Sequence, residues 1–251
     1  MTRYPRIIAL FFGFVAVAGV TTILALNTGQ DTAGAGRGQK KSPEMIAAES
    51  RLPVTDFNTP EPQDAKKRAD RVARGAKFES NDLVLDASAD VVTSTGNWAA
   101  GLSAIPVDKS DVIVVGNITN AQAYTTHSKT HVYSVFTVQL TEVIKDDVGN
   151  SIKGNSFVDV DRIGGRVRFP NGRVSQYFIV GQHMPEVGKQ YLLFLTKSGA
   201  KGDYGILTGY EIRDGIIYPL DNPGTGHPIT TPEGSGAISF LDEVRAAVTN
   251  S

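Results

Sequence analysis

The chain has 251 residues, 41% hydrophobic, 20% charged and 8% aromatic, with a formal net charge of -1 and no cysteine. That size holds one ordinary domain with tails or two small ones, and the composition excludes a wholly disordered chain, a collagen and a coiled coil. Near-zero net charge gives no long-range attraction to polyanions, and the missing thiols exclude disulfides, thiolate catalysis, cysteine-ligated metals and cysteine lipidation.

Ile7 to Leu26 is an apolar run without a charge, long enough to cross a hydrocarbon core of roughly 30 Å as a helix. Arg3 and Arg6 precede it, as in a secretory signal or a signal anchor. The small-x-small cleavage candidates, Ala16-Val17-Ala18 and Ala33-Gly34-Ala35, lie inside the run and several residues beyond it. The run also exceeds a typical cleavable core. Residues 1–26 therefore read as a retained anchor, with the lipid bilayer as partner through residues 7–26; cleavage would make the protein secreted. Arg37, Lys40 and Lys41 follow the run, but the two arginines lie closer to it, and long downstream domains translocate largely regardless of charge. The C-terminal domain is accordingly expected outside the cytoplasm, in a single-pass membrane protein.

Residues 27–85 read as a tether containing a basic helix. Up to about Asn58 the Gly, Ala, Ser, Thr and Pro content shows neither helical nor strand periodicity. Gly34 to Ser42 resembles a phosphate loop only superficially, since it lacks the G-x4-G-K-[ST] spacing and a preceding strand. Thr59-Pro60-Glu61 then offers a cap, a proline and a first-turn acid for a helix near 60–77. Ala65, Ala69, Val72, Ala73 and Ala76 recur at helical spacing, and Lys66, Lys67, Arg68, Arg71, Arg74 and Lys77 complement the macrodipole. Such a helix either touches anionic headgroups or packs lightly on its own domain; its alanines offer little apolar area, which favours packing.

Residues 86–251 carry the signature of a mainly β domain. Strands are predicted at Val112–Ile118, with Val112 to Val115 buried on both faces, and at Val132–Lys145, where Phe136, Val138 and Leu140 share one face. Phe157–Ile163 follows. Val167–Phe169 and Val174–Val180 flank the turn signal Pro170-Asn171-Gly172. Tyr191–Lys197 reads as a central strand, and Ile206–Ile212 and Ile216–Leu220 enclose Asp214-Gly215. Strands at this spacing without intervening helices predict an antiparallel barrel or sandwich. Ile238, Leu241, Val244 and Val248, with Phe240 on the adjoining line, form an amphipathic C-terminal helix suited to covering an open end or edge.

The order of segments Ser110 to Thr119, Val132 to Lys145, Asp159 to Asp161 and Val187 to Leu195 resembles the OB-type barrel of uncharacterised exported bacterial proteins. It is distantly similar to the netrin-like barrel of tissue inhibitors of metalloproteinases. Gly164 to Arg173 and Gly209 to Asp221 resemble a subset of the same exported proteins. The resemblance implies an antiparallel OB-like barrel and supplies no ligand or reaction. The inhibitors act through a free N-terminal cysteine, which this chain lacks, so that mechanism does not carry over.

Catalytic signals are sparse. His127-x3-His131 has zinc-ligand spacing, with His183 or Asp159 available as a third ligand, but it lies at the mouth of a β-strand and no H-E-x-x-H is present. Asp159 and Asp161 project from one face of a strand; Asp146 and Asp147 form a second acidic pair. The one S-x-x-K, Ser198 to Lys201, falls in a predicted turn, and there is no G-x-S-x-G. No motif implies a cofactor. Arg162, Arg166, Arg168 and Arg173 fall in one stretch with no lysine or acid among them, interrupted by Phe169 and followed by Tyr177. Arginine forks and aromatic faces of this kind suit an anionic envelope component or a protein partner. Nucleic acid is disfavoured, because the β domain carries more acids than bases. The preferred expectation is a non-enzymatic binding or structural barrel. The alternative is a hydrolase or metal-dependent enzyme using His127 or His131 with Asp159 and Asp161.

Overall fold

The computed structural model describes residues 51–79, 85–94, 98–149, 152–198, 203–222 and 235–251, all within one unit spanning residues 41–251. The apolar run Ile7–Leu26, its flanking arginines and the linker up to Ser50 lie outside the described residues. No helix among the described residues is long and apolar enough to cross a membrane.

In chain order the elements are β1 (Val54–Asp56), α1 (Ala65–Ala76), β2 (Val91–Ser94), a 3-10 turn (Val107–Lys109), β3 (Val112–Thr125) and β4 (Val132–Asp146). There follow β5 (Phe157–Ile163), β6 (Gly165–Arg168), β7 (Val174–Ile179), β8 (Gln190–Lys197), β9 (Tyr204–Arg213), β10 (Ile216–Pro219) and α2 (Ala237–Thr249). The fold is mainly β, in two sheets with a C-terminal helix. The larger sheet has the order β10-β9-β5-β4-β3-β8, and β8 also pairs with β9. Its pairings are antiparallel except between β5 and β9, which run parallel through Val160 opposite Tyr204 and Asp161 opposite Gly205. The smaller sheet has the order β1-β6-β7-β2, with β1 and β2 parallel to their neighbours.

Two hydrophobic clusters lie on opposite sides of β3 and β8. Val112, Val114, Ile118, Tyr191, Leu193 and Leu195 join Phe136, Val138 and Val160 on one side. Ile113, Val115, Leu192 and Phe194 join Tyr210, Ile217, Phe240 and Val244 on the other. Period-two side-chain direction, with both faces covered, accounts for the continuous apolar runs in these strands. The smaller sheet has its own cluster, in which Val167, Phe169 and Tyr177 pack with Leu85, Ala123 and Val132. The β9–β10 connection turns at Asp214 and Gly215, both at positive φ (53° and 75°), as a two-residue type I′ hairpin requires.

The structure moves several sequence-based boundaries. Val54–Asp56, within the region read as tether, forms a strand on β6, with Val54 opposite Arg166 and Asp56 opposite Arg168; three residues are too few to display periodicity. Val91–Ser94 likewise extends the smaller sheet through β7. α1 begins later than the Thr59-Pro60 signal implies, because Asp64 caps it, accepting from the Lys67 amide at 2.7 Å. Thr59 serves a preceding turn instead, its hydroxyl donating to the Asp56 carbonyl at 2.7 Å. α2 covers the outer side of β3, β8, β9 and β10 with Ala237, Phe240 and Val244, while Ile238 points to solvent at 78% exposure. The rest of the expected line packs inward, with Leu241 and Val248 against the same cluster and the ring of Phe240 meeting Tyr210 edge-on at 4.8 Å.

Candidate functional site

β5 buries Val160 and directs Asp159 and Asp161 to the opposite side, where α1 crosses the sheet. The helix comes close because Gly75 lies against Tyr133: a Cβ there would stand 3.3 Å from the ring. Gly75 is its buried residue, so charged contacts, more than apolar burial, hold α1 down. Lys77 Nζ donates to Asp161 Oδ1 at 2.6 Å and also to Ser198 Oγ. Arg74 Nε donates to Asp203 Oδ1 at 3.1 Å, Arg74 Nη1 lies 3.6 Å from Asp159 Oδ2, and Nε stands 4.0 Å from Asp161 Oδ2. The Asp161 side chain is 1% exposed. Burial raises its carboxyl above the ordinary value, with Lys77 and Arg74 opposing that rise.

A cavity of about 300 Å³ opens on one side of Arg74 and one of about 250 Å³ beyond Lys77. The second is lined by Lys77, Trp98, Asp161, Arg162, Gln182 and Ser198, among others. Three buried polar atoms of its lining residues, Asp161 Oδ2, Arg162 Nε and Gln182 Oε1, have no hydrogen-bond partner. Two are acceptors and one is a donor, and all three are closed off from solvent beneath the cavity surface. Trp98, anchored through its Nε1 to the Val180 carbonyl at 3.0 Å, supplies an aromatic wall. Ser198 next to Lys77 has the composition of a nucleophile and base, and Lys77 Nζ is shared between Ser198 Oγ and the Asp161 carboxylate.

The arginine and aromatic set read from the sequence is divided by the fold. Arg162 is buried at 2% exposure and forms a bidentate pair with Asp221 at 2.6 and 2.7 Å, with further bonds to the carbonyls of His183 and Leu207. Phe169 and Tyr177 lie in the core of the smaller sheet, and the Tyr177 hydroxyl accepts from the Asp86 amide at 2.9 Å. Arg166 is half-buried. Arg168 and Arg173 are exposed, paired with Asp56 at 3.2 Å and Asp90 at 2.7 Å. The six residues therefore do not form one surface: three are internal, and two of the others are neutralised by carboxylates that the sequence stretch itself lacks.

The histidines and acids are also dispersed. His127 is exposed, 3.5 Å from Glu61. His131 buries an unpartnered Nδ1, and burial pushes its imidazole below the ordinary value. His183 contributes backbone groups to the Arg162–Asp221 pair. Asp146 caps a turn through the amides of Val148 and Ile152, and Asp147 pairs with Lys145 at 2.8 Å. Among the described residues no three His, Asp or Glu side chains gather to hold a metal ion. Lys201 lies outside the described residues, and Ser198 contacts Lys77 instead. The sequence places Lys77 only in the basic helix and singles out neither Trp98 nor Gln182; the one available signal is the match between that helix and the Asp159, Asp161 face. The chain matches no protein-family model and no curated protein sequence.

Proposed function

We propose that the chain is a non-enzymatic binding protein, anchored in a membrane through residues 7–26 with its β domain outside the cytoplasm, whose ligand seat is the cavity beyond Lys77. The pairing circuit β3-β4-β5-β9-β8, with its single parallel step, supports reading the larger sheet as an OB-type barrel. The observation that carries the binding reading is the convergence of Lys77, Trp98, Gln182 and Ser198 on one cavity of about 250 Å³. An aromatic wall with a few convergent polar side chains is the usual make-up of a small-molecule seat. The hydrolytic alternative needs His127 or His131 beside Asp159 and Asp161, and those aspartates engage Arg74 and Lys77 instead.

Trp98 is the chain's single tryptophan, so its emission reports on this cavity alone. Screening small neutral polyols, sugars and amides against the full chain is expected to yield a saturable change in Trp98 emission that Gln182→Leu abolishes. A flat response across the screen would count against the seat. Carbonate washing of membranes tests the anchor: the full chain is expected to stay in the pellet, and recovery in the supernatant would reject it.

A further inference from the structure

We propose that the cavity between α1 and the β3–β4 hairpin is a second, separate site, which takes a small ligand carrying an anionic group, phosphate or carboxylate, on a flat apolar body. The cavity, about 300 Å³, is lined by Lys67, Arg71 and Arg74 from the helix and by Tyr124, Tyr133 and Val135 from the hairpin, with Asp70 at its margin. Its charges do not cancel locally. Asp70 is taken by Lys66 at 2.8 Å, and Arg74 by Asp203. Among the described residues neither Lys67 nor Arg71 has a carboxylate within ion-pair distance. The Arg71 guanidinium instead lies 5.3 Å from the centre of the Tyr124 ring, with one bond to the Pro60 carbonyl at 3.4 Å. Its remaining donors are available to a ligand.

The opposite wall is aromatic. Tyr124 and Tyr133 stack with centroids 5.6 Å apart, and Tyr133 is held by Phe78 at 5.2 Å. A guanidinium over a ring, beside a second cation and a buried aliphatic floor, recognises a planar body through stacking and an attached anion through charge-assisted bonds. The cavity is also too small for a folded partner, which leaves a small molecule as the occupant.

Titration of the full chain with phenyl phosphate, benzoate, inorganic phosphate and benzylamine, followed by the ring resonances of Tyr124 and Tyr133, tests this. Saturable shifts are expected with phenyl phosphate or benzoate, and the stronger of the two identifies the anionic group. Inorganic phosphate is expected to bind more weakly, and benzylamine not at all. Arg71→Gln is expected to weaken binding about tenfold, the loss of one charge-assisted bond, and the double variant with Lys67→Gln to weaken it further. Both positions leave the Arg74 and Lys77 clamps in place, so the variants keep the fold. Absence of a saturable shift, equal binding in the double variant, or equal affinity for inorganic and phenyl phosphate would overturn the proposal. Trp98 does not line this cavity, so a silent Trp98 screen leaves the result intact, and the reverse also holds.

Discussion

Arg162 separates what a residue offers in sequence from what its surroundings make of it. In the linear stretch it is one of four similar arginines; in the fold its two terminal nitrogens bond Asp221 and two carbonyls at 2% exposure. Removing one partner of a buried ion pair strands the other charge, at a cost of about 3–5 kcal/mol. Arg162→Ala is therefore expected to lower the urea midpoint severely. Arg173→Ala, which loses an exposed pair with Asp90, is expected to stay within about 0.5 kcal/mol of the parent. Equal, small effects at both positions, measured by urea unfolding, would return Arg162 to the surface ribbon that its neighbours suggest. The alternation of β5 made the shared direction of Asp159 and Asp161 legible in advance. Their partners were not, because Arg74 and Lys77 lie far away along the chain.

At the scale of elements, α1 is fixed by polar chemistry. Its alanine face has little apolar area, and its grip on the sheet runs through Lys77 with Asp161 and Ser198, and Arg74 with Asp203 and Asp159. Lys77→Met leaves Asp161 buried beside a guanidinium 4.0 Å away, and is expected to cost about 2 kcal/mol. The double variant Lys77→Met with Asp161→Leu removes both charges and is expected to recover most of that loss in a double-mutant cycle read by thermal unfolding. If the losses simply add, the ion pair does not hold the helix. The basic character of this helix was evident from its residues, but its start was not: Thr59 and Asp64 are both good caps, and the choice fell to the one whose following residues reach the Asp161 face. Similarly, Ile238 and Phe240 are equally apolar on paper, and contact with Tyr210 decided which of them α2 buries.

For the molecule as a whole, burial of tyrosines makes stability depend on alkaline pH. Burial pushes the Tyr133 phenol up to about 12, with Arg71 and Arg74 countering part of the shift; burial also raises Tyr191. In the unfolded chain these phenols ionise near pH 10. Between about 10 and 12 the unfolded state thus binds fewer protons than the folded one, so stability is full below pH 10 and lost as the pH rises through that window. Tyr133 alone contributes on the order of 2 kcal/mol of that loss. Urea midpoints across the alkaline range are expected to fall, and less steeply in Tyr133→Phe; parallel curves would show that Tyr133 ionises freely.

Length, charge and the missing cysteine determined the chemistry that the chain does not contain. Apolar runs marked β3 and β8 as strands, and period-two alternation in β4 and β5 also showed which of their residues share a face, because side-chain direction in a strand is a local property. Segments too short to show a period, β1 and β2, stayed hidden. Only the tertiary structure decided which charges meet: that Arg162 closes on Asp221, that Lys77 and Arg74 cross to Asp161 and Asp203, and that Lys67 and Arg71 are left without a carboxylate among the described residues. Pairing of charges across a fold depends on which strands become neighbours. A linear stretch of like charges carries no record of that arrangement.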